Sequence, residues 1–236
     1  MNKLFVGIAN AAEAGHHAPV ATIFGIEISS YTTSMWLVMA LLIGVSFLAT
    51  RDLKWFASGL QNFLELVVEK LLNFLSEVMG EEKARKYFPY LATVFIFILV
   101  MNYCSLLPGS GTISWLTTPT STLSVTVGLA LCTFSVTHFF GIKEKGLSYF
   151  KHFFQPYPFL FPLNIVEEIV KPLSLSLRLF GNIFGEKMIG MTLFSMIPLI
   201  VPLPAYFLGI LFGAIQAYVF TLLSAIYIHT ATDGHH

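Results

Sequence analysis

Arg178 is the residue of this chain whose chemistry needs explaining first, because it lies in an apolar stretch. Between Pro172 and Thr232 the only other charged residues are Glu186 and Lys187, and Asn182 adds an amide. An arginine at the centre of a membrane helix costs about 2.5–3.5 kcal/mol on insertion scales. It must therefore find water, a counter-charge or a partner subunit. These residue types indicate an ion path or a charge gate.

The polar residues around Arg178 share one face if the segment is helical. With Arg178 as origin and about 100° per residue, they lie near −40° (Ser174), −20° (Glu167), +20° (Lys171), +40° (Asn182) and +80° (Glu186). A polar face about 120° wide thus follows an otherwise apolar helix. Gly181 and Gly185 predict a place where another helix approaches closely.

An alternative is that Arg178 pairs with Glu186 or Glu167 and only locks the fold. Eight residues of helix rise about 12 Å, so one straight helix does not bring Arg178 and Glu186 into contact. The last apolar segment offers a matching face with a single amide, formed by Gly209, Gly213, Gln216, Phe220 and Ser224. Three roles are open for Gln216: it lines a hydrated path, it forms a hydrogen bond with Arg178, or it only forms a hydrogen bond that joins two helices.

The composition indicates a membrane protein. The 236 residues are 56% hydrophobic and 11% charged, and no Asp, Glu, Lys or Arg occurs from Phe88 to Ile142. Such tracts suit helices that cross a bilayer, where backbone groups must be satisfied internally. Strand signals and repeats are absent, so we predict an all-α polytopic membrane protein with one domain, 1–236. The net charge of zero argues against a nucleic-acid partner.

Five membrane-crossing helices are predicted, at about 33–49, 88–107, 119–141, 163–198 and 205–228. The fourth, which bears the arginine, is longer than one perpendicular crossing and must tilt, bend or begin in the interface. Turn residues follow the second at Pro108–Gly111 and separate the last two at 197–204. Residues 56–87 form an amphipathic segment typical of a helix in the membrane interface, with a packed helix of a soluble subdomain as the alternative.

The distribution of lysine and arginine predicts the orientation. Lysine occurs in the connections at 50–87 and 142–160 and arginine in the first of them, whereas the connections at 109–118 and 198–204 have neither. By the positive-inside rule the first two connections face the cytoplasm. Five crossings then place the N-terminal tail, 1–31, outside and the C-terminus inside.

Other site classes find little support in the sequence. Cys104 and Cys132 lie in apolar tracts, and the histidine pairs at 16–17 and 235–236 lack further ligand-spaced residues, so we expect neither a metal site nor a cofactor. A membrane hydrolase would need a nucleophile with a base or an H-E-x-x-H pair, and neither is visible. A stand-alone channel or secondary transporter is the remaining alternative, but no second copy of the arginine segment occurs.

The residues around Arg178 resemble a known family. The run from Pro172 to Asn182, PLSLSLRLFGN, closely resembles the signature of subunit a of F-type ATP synthases. Further matches follow the family's order over roughly residues 30–230: Ser58–Phe63 with Glu65, Met101–Asn102, Leu106–Pro108, Pro119–Thr120, Val125–Thr126 and Gln216–Phe220. The resemblance implies a bacterial cytoplasmic-membrane protein that is not an enzyme by itself.

The resemblance also implies partners and roles. Subunit a is the stator beside the c-subunit ring and the peripheral-stalk b subunits, and its two half-channels carry H⁺ or Na⁺ to and from that ring. Arg178 would be the gate between them. Asn182, Glu186 and Gln216 would line the outer path, and Ser174, Glu167 and Glu168 would lie toward the cytoplasmic exit.

This chain departs from the family's usual pattern in two places. Glu186 is one residue closer to Arg178 than the family's carboxylate, so that role requires a local bulge or a shifted geometry. The third span begins with Thr122 and Ser124 where bacterial members often have an acidic residue and an asparagine, so that lining is hydroxyl-rich.

Overall fold

The computed structural model describes residues 21–23, 26–51, 59–104, 119–146, 149, 159, 161–196 and 202–233. In these ranges the chain forms six α-helices, which are α1 Ser30–Arg51, α2 Leu60–Met79, α3 Glu81–Cys104, α4 Leu123–Lys145, α5 Phe161–Met196 and α6 Pro202–Thr232. A 3-10 turn, Pro119–Ser121, precedes α4. The all-α prediction is confirmed for the body of the chain.

A small antiparallel ribbon before α1 was not predicted. Its strands are β1 Ala21–Ile23 and β2 Ile26–Ile28, with Thr22 opposite Glu27. Three residues are too few for the alternation of polar and apolar residues that identifies a strand in a sequence.

Four of the described helices are long and apolar enough to cross a membrane, in the spans Ser30–Leu48, Glu81–Cys104, Leu123–Lys145 and Phe207–Thr232. The remaining predicted crossing, the fourth in the chain, is α5, whose 36 residues include six charged ones. At 1.5 Å per residue α5 is about 54 Å long, well beyond a hydrocarbon core of about 30 Å. Its length therefore agrees with the prediction that this helix tilts or extends into the interface.

The boundaries of the second span differ from the prediction. The charged cluster at 81–86 is not a connection but the start of α3, which begins at Glu81 rather than Phe88. Two acidic residues in a first helical turn are favourable, because they face the positive end of the helix dipole. Gly80 separates α2 from α3 with a φ of 82°, a conformation that glycine adopts at little cost.

The amphipathic segment is helical as predicted, and its two halves differ in packing. Leu71, Leu75 and Met79 of α2 are buried in a core shared with α3 and α6. Phe63 and Leu66, nearer the start of α2, stay exposed. One half of this helix is therefore packed in the bundle, while the other presents apolar side chains outward.

Polar contacts define the two ends of the helix bundle. At one end Lys83 of α3 donates to Asp233 over 2.7 Å, and Lys86 pairs with Glu144 of α4; we call this the Thr232 end. At the opposite end, the Thr120 end, the amide of Asn102 donates to the carbonyl oxygen of Gly213 over 3.1 Å. The turn predicted at Pro108–Gly111 and the first part, 197–201, of the turn predicted at 197–204 lie outside the described residues. Residues 202–204 are instead the first turn of α6, which begins at Pro202 rather than near 205, because proline is tolerated in the first turn of a helix.

Candidate functional site

Helix α5 places Arg178 on the outside of the bundle. Leu175, Leu179 and Ile183 recur every four residues and are buried in a core formed with α3, α4 and α6. Because one side of the helix is fixed in this core, the side near Arg178 faces outward, and Arg178 is exposed. Its guanidinium has no ion-pair partner among the described residues, so neither Glu167 nor Glu186 locks it.

The surface around Arg178 is apolar and open. Leu173 and Leu177 are about half exposed on the same helix. A Cβ atom added at Gly181 would meet no other atom within 4 Å, and the same holds at Gly185. The close helix approach predicted at these glycines is therefore absent from the described part of the chain. We call the surface formed by Leu173, Leu177, Arg178 and Gly181 the arginine face.

A hydrogen bond joins α5 to α6 one turn beyond the arginine. The amide Nδ2 of Asn182 donates to Oε1 of Gln216 over 2.6 Å. Gln216 is buried, as are Gly213, Phe220 and Ser224 of the predicted α6 face. The Nε2 atom of Gln216 has no hydrogen-bond partner among the described residues. Gln216 thus bonds Asn182 rather than Arg178, and one of its donor groups is left over.

We expect the Asn182–Gln216 bond to couple the two helices energetically. In a double-mutant cycle with Asn182→Ala and Gln216→Ala, the coupling free energy should be about 0.6 kcal/mol and at most about 1.7 kcal/mol. Unfolding of the purified chain by detergent titration measures it. Pairing Asn182→Ala with Ser135→Ala is the control, because the Ser135 hydroxyl bonds only its own helix in the described structure. Equal coupling in the two cycles would contradict this assignment.

Glu186 and Lys187 point to different sides of α5. The helix is continuous from Phe161 to Met196, so the bulge that Glu186 would need to match the family's spacing is absent from this range. Glu186 is half-buried and has no ion-pair partner in the described chain. The Lys187 Nζ atom donates to Oγ of Ser121 in the 3-10 turn over 3.2 Å. Lys187 was not among the predicted site residues, although a charge in an apolar stretch was a sufficient signal.

A small polar cavity lies toward the Thr232 end. Its volume is about 30 Å³, and its polar lining includes Thr137, His138, Tyr149, Glu168, Lys171 and Tyr227. This is enough space for one or two water molecules. Glu168 accepts a hydrogen bond from Lys171 over 2.5 Å, whereas the Glu167 carboxylate is 4.0 Å from Lys171 and mostly exposed. The two carboxylates predicted for the exit therefore occupy different environments, and half-exposed Ser174 lies on the same helix nearer Arg178.

Tyr149 closes this cavity from the connection between α4 and α5. Its hydroxyl lies 3.2 Å from Nδ1 of His138. Burial and, secondly, the Glu168 carboxylate raise the pKa of Tyr149 to about 12. The phenol therefore keeps its proton at neutral pH and lies within hydrogen-bond distance of the His138 ring. His138, Tyr149 and Tyr227 are cavity residues that the sequence did not assign to the site.

Known proteins match this chain over nearly its whole described length. The family model for the ATP synthase A chain matches residues 32–229. ATP synthase subunit a of Moorella thermoacetica is 48% identical over 211 residues, which cover 89% of this chain and 94% of that protein. ATP synthase subunit a 2 and subunit a 1 of Syntrophotalea carbinolica are each 42% identical over 210 residues, covering 87% of both chains.

Proposed function

This chain belongs to the ATP synthase A chain family, and on that premise we propose that its helices form two half-channels that meet a c-subunit ring beside Arg178. As a member of the family it is a non-catalytic, ion-transporting subunit of the membrane sector. The proposal adds that ion flow, H⁺ or Na⁺, through these half-channels turns the ring and drives ATP synthesis.

The observation that carries the proposal is that Arg178 lies on an exposed apolar surface and has no ion-pair partner among the described residues. Facing lipid, Arg178 would have no counter-charge, and its insertion cost would not be offset. Facing a ring of ionisable carboxylates, the same guanidinium attracts each ionised carboxylate as it passes and helps it release its ion. A guanidinium does not lose its proton, so Arg178 acts as a gate and not as a carrier.

The two half-channels lie at opposite ends of α5 in this proposal. Glu186, Asn182 and Gln216 line the outer path toward the Thr120 end. Glu168 and the cavity, with Glu167 and Ser174, lie toward the cytoplasmic exit at the Thr232 end. The leftover Nε2 donor of Gln216 suits a water molecule in the outer path.

The placement in the membrane follows from the same proposal. The chain is a single domain of the bacterial cytoplasmic membrane, with its tail, 1–31, outside and its C-terminus in the cytoplasm. Residues 56–87 lie at the cytoplasmic interface. The peripheral-stalk b subunits would contact helices away from the arginine face, and α1 offers exposed apolar side chains for such contacts, among them Trp36, Ile43 and Phe47.

Disulfide cross-linking tests whether the arginine face meets the ring. In membranes where Cys104 and Cys132 are replaced by serine, Leu177→Cys should cross-link to a cysteine placed near the ring carboxylate. Leu131→Cys on α4 is a matched control, because Leu131 and Leu177 are exposed to nearly the same extent, 50% and 49%. Cross-linking only at Leu131 would show that another face of the chain meets the ring, and purification of an active chain without a ring would support a stand-alone channel instead.

A further inference from the structure

The first part of α5 is held only loosely by apolar packing. None of residues 161–174 is buried, and Leu163 and Val166 are more than half exposed. The buried core of the helix begins at Leu175. Pro172, near this boundary, cannot donate to the backbone carbonyl four residues earlier, which weakens the helix at this point. Other contacts must therefore fix the direction of the first three turns.

Lys171 supplies such a contact at the Thr232 end. Its Nζ atom donates to Oε1 of Glu168 over 2.5 Å and lies 5.8 Å from the centre of the Tyr227 ring on α6. The side chains of Lys171 and Glu168 are only 22% and 17% exposed. An ammonium interacts with a carboxylate and with an aromatic ring more strongly where little water screens it. Glu168 thus orients the ammonium, and the ammonium joins the start of α5 to α6.

A second polar contact joins the same two helices three turns away. Asn182, which bonds Gln216, lies 11 residues after Lys171. Gln216 likewise lies 11 residues before Tyr227. Because 11 residues are close to three full turns, the two contacts lie on one face of each antiparallel helix. Arg178 lies between them, about 10 Å beyond Lys171 and about 6 Å before Asn182 along the helix axis.

Two polar contacts on either side of Arg178 fix the tilt of α5. Apolar packing has no preferred direction, so the core alone leaves small tilts open, and a single polar contact lets the helix pivot about it. We propose that Lys171, oriented by Glu168, is a positioning residue that holds the guanidinium of Arg178 at one place against the ring. This inference rests on the proposed function and adds a role for Lys171, to which the half-channels give none. Lys171 acts through its charge and transfers no proton, so arginine should replace it.

Distances from pulsed electron paramagnetic resonance test the contact without any pumping. In whole complexes without other cysteines, spin labels are attached at Leu163→Cys and Phe212→Cys, two exposed positions on α5 and α6. Leu163 lies about 13 Å before Pro172, so a bend of about 20° at the proline moves its label by about 5 Å. Lys171→Gln should shift or broaden the measured distance by about this amount.

Matched variants separate the ion pair and the ring from a general loss of structure. Glu168→Gln should change the distance as Lys171→Gln does, whereas the same substitution at neighbouring Glu167, which is 69% exposed, should leave it unchanged. Tyr227→Leu removes the ring and should change the distance, and Tyr227→Phe keeps the ring and should not. The Tyr227 variants decide the question should the Lys171→Gln complex not assemble. An unchanged distance in either Lys171→Gln or Tyr227→Leu would overturn the contact.

The rate of ATP-driven pumping tests the consequence for Arg178. Because a displacement of about 1 Å costs up to about a hundredfold in rate, Lys171→Gln should lower the initial rate of dye quenching about tenfold or more. Immunoblotting should show normal amounts of the chain, and Lys171→Arg should recover most of the rate. A shifted distance with unchanged pumping, or equal losses with arginine and glutamine at position 171, would overturn the positioning of Arg178. Coupled pumping by Arg178→Ala would instead refute the proposed function, whatever the distances are.

Discussion

Replacing Arg178 with alanine is expected to abolish ATP-driven ion pumping in membrane vesicles. Without the guanidinium, a carboxylate brought to the arginine face has no partner, and leaving one charge of a buried pair alone costs about 3–5 kcal/mol. The ions would also leak directly between the half-channels, and each charge that crosses 100 mV dissipates about 2.3 kcal/mol. The initial rate of quenching of a pH-sensitive dye measures pumping. A loss of about 3–5 kcal/mol should lower this rate at least about a hundredfold, since 1.36 kcal/mol corresponds to a factor of ten.

The fold should tolerate this change, because Arg178 has no ion-pair partner among the described residues. The Arg178→Ala chain should thus be present in membranes in normal amounts. Arg85→Ala is a matched control: this exposed arginine pairs with Glu81 one turn earlier on α3, far from the arginine face, and its loss should leave pumping unchanged. Coupled pumping by the Arg178→Ala complex would refute the gate.

The features that sequence alone could predict are those set by local patterns. The apolar tracts and their charge-free lengths predict the helices, because each crossing helix satisfies its own backbone. The helical wheel placed Asn182 and Arg178 on one face, because residues four apart on a helix lie about 40° from each other.

The features that sequence could not predict depend on contacts between distant segments. Asn182 and Gln216 are 34 residues apart, and Lys187 and Ser121 are 66 apart, so no local pattern pairs them. Adjacent Glu167 and Glu168 also looked equivalent in the sequence. Only the packing of α4 and α6 against α5 determines that Glu168 lines the cavity while Glu167 stays exposed.

Replacing Glu186 with glutamine is expected to lower the pumping rate about tenfold or more. A positioned group that transfers protons contributes about 10²–10⁴-fold to a rate. The expected loss is smaller than this because water in the path still transfers protons, although more slowly. Glutamine has nearly the same shape and also forms hydrogen bonds, so a merely structural Glu186 would tolerate it. Initial rates of ATP-driven dye quenching measure the effect.

The controls for Glu186 separate its charge from its position. Glu186→Asp keeps an ionisable carboxylate and should recover part of the rate. Glu82→Gln makes the same change at an exposed position in the first turn of α3 and should have no effect. If Glu186→Gln pumps as fast as the wild type, the one-residue displacement of Glu186 has taken it out of the path.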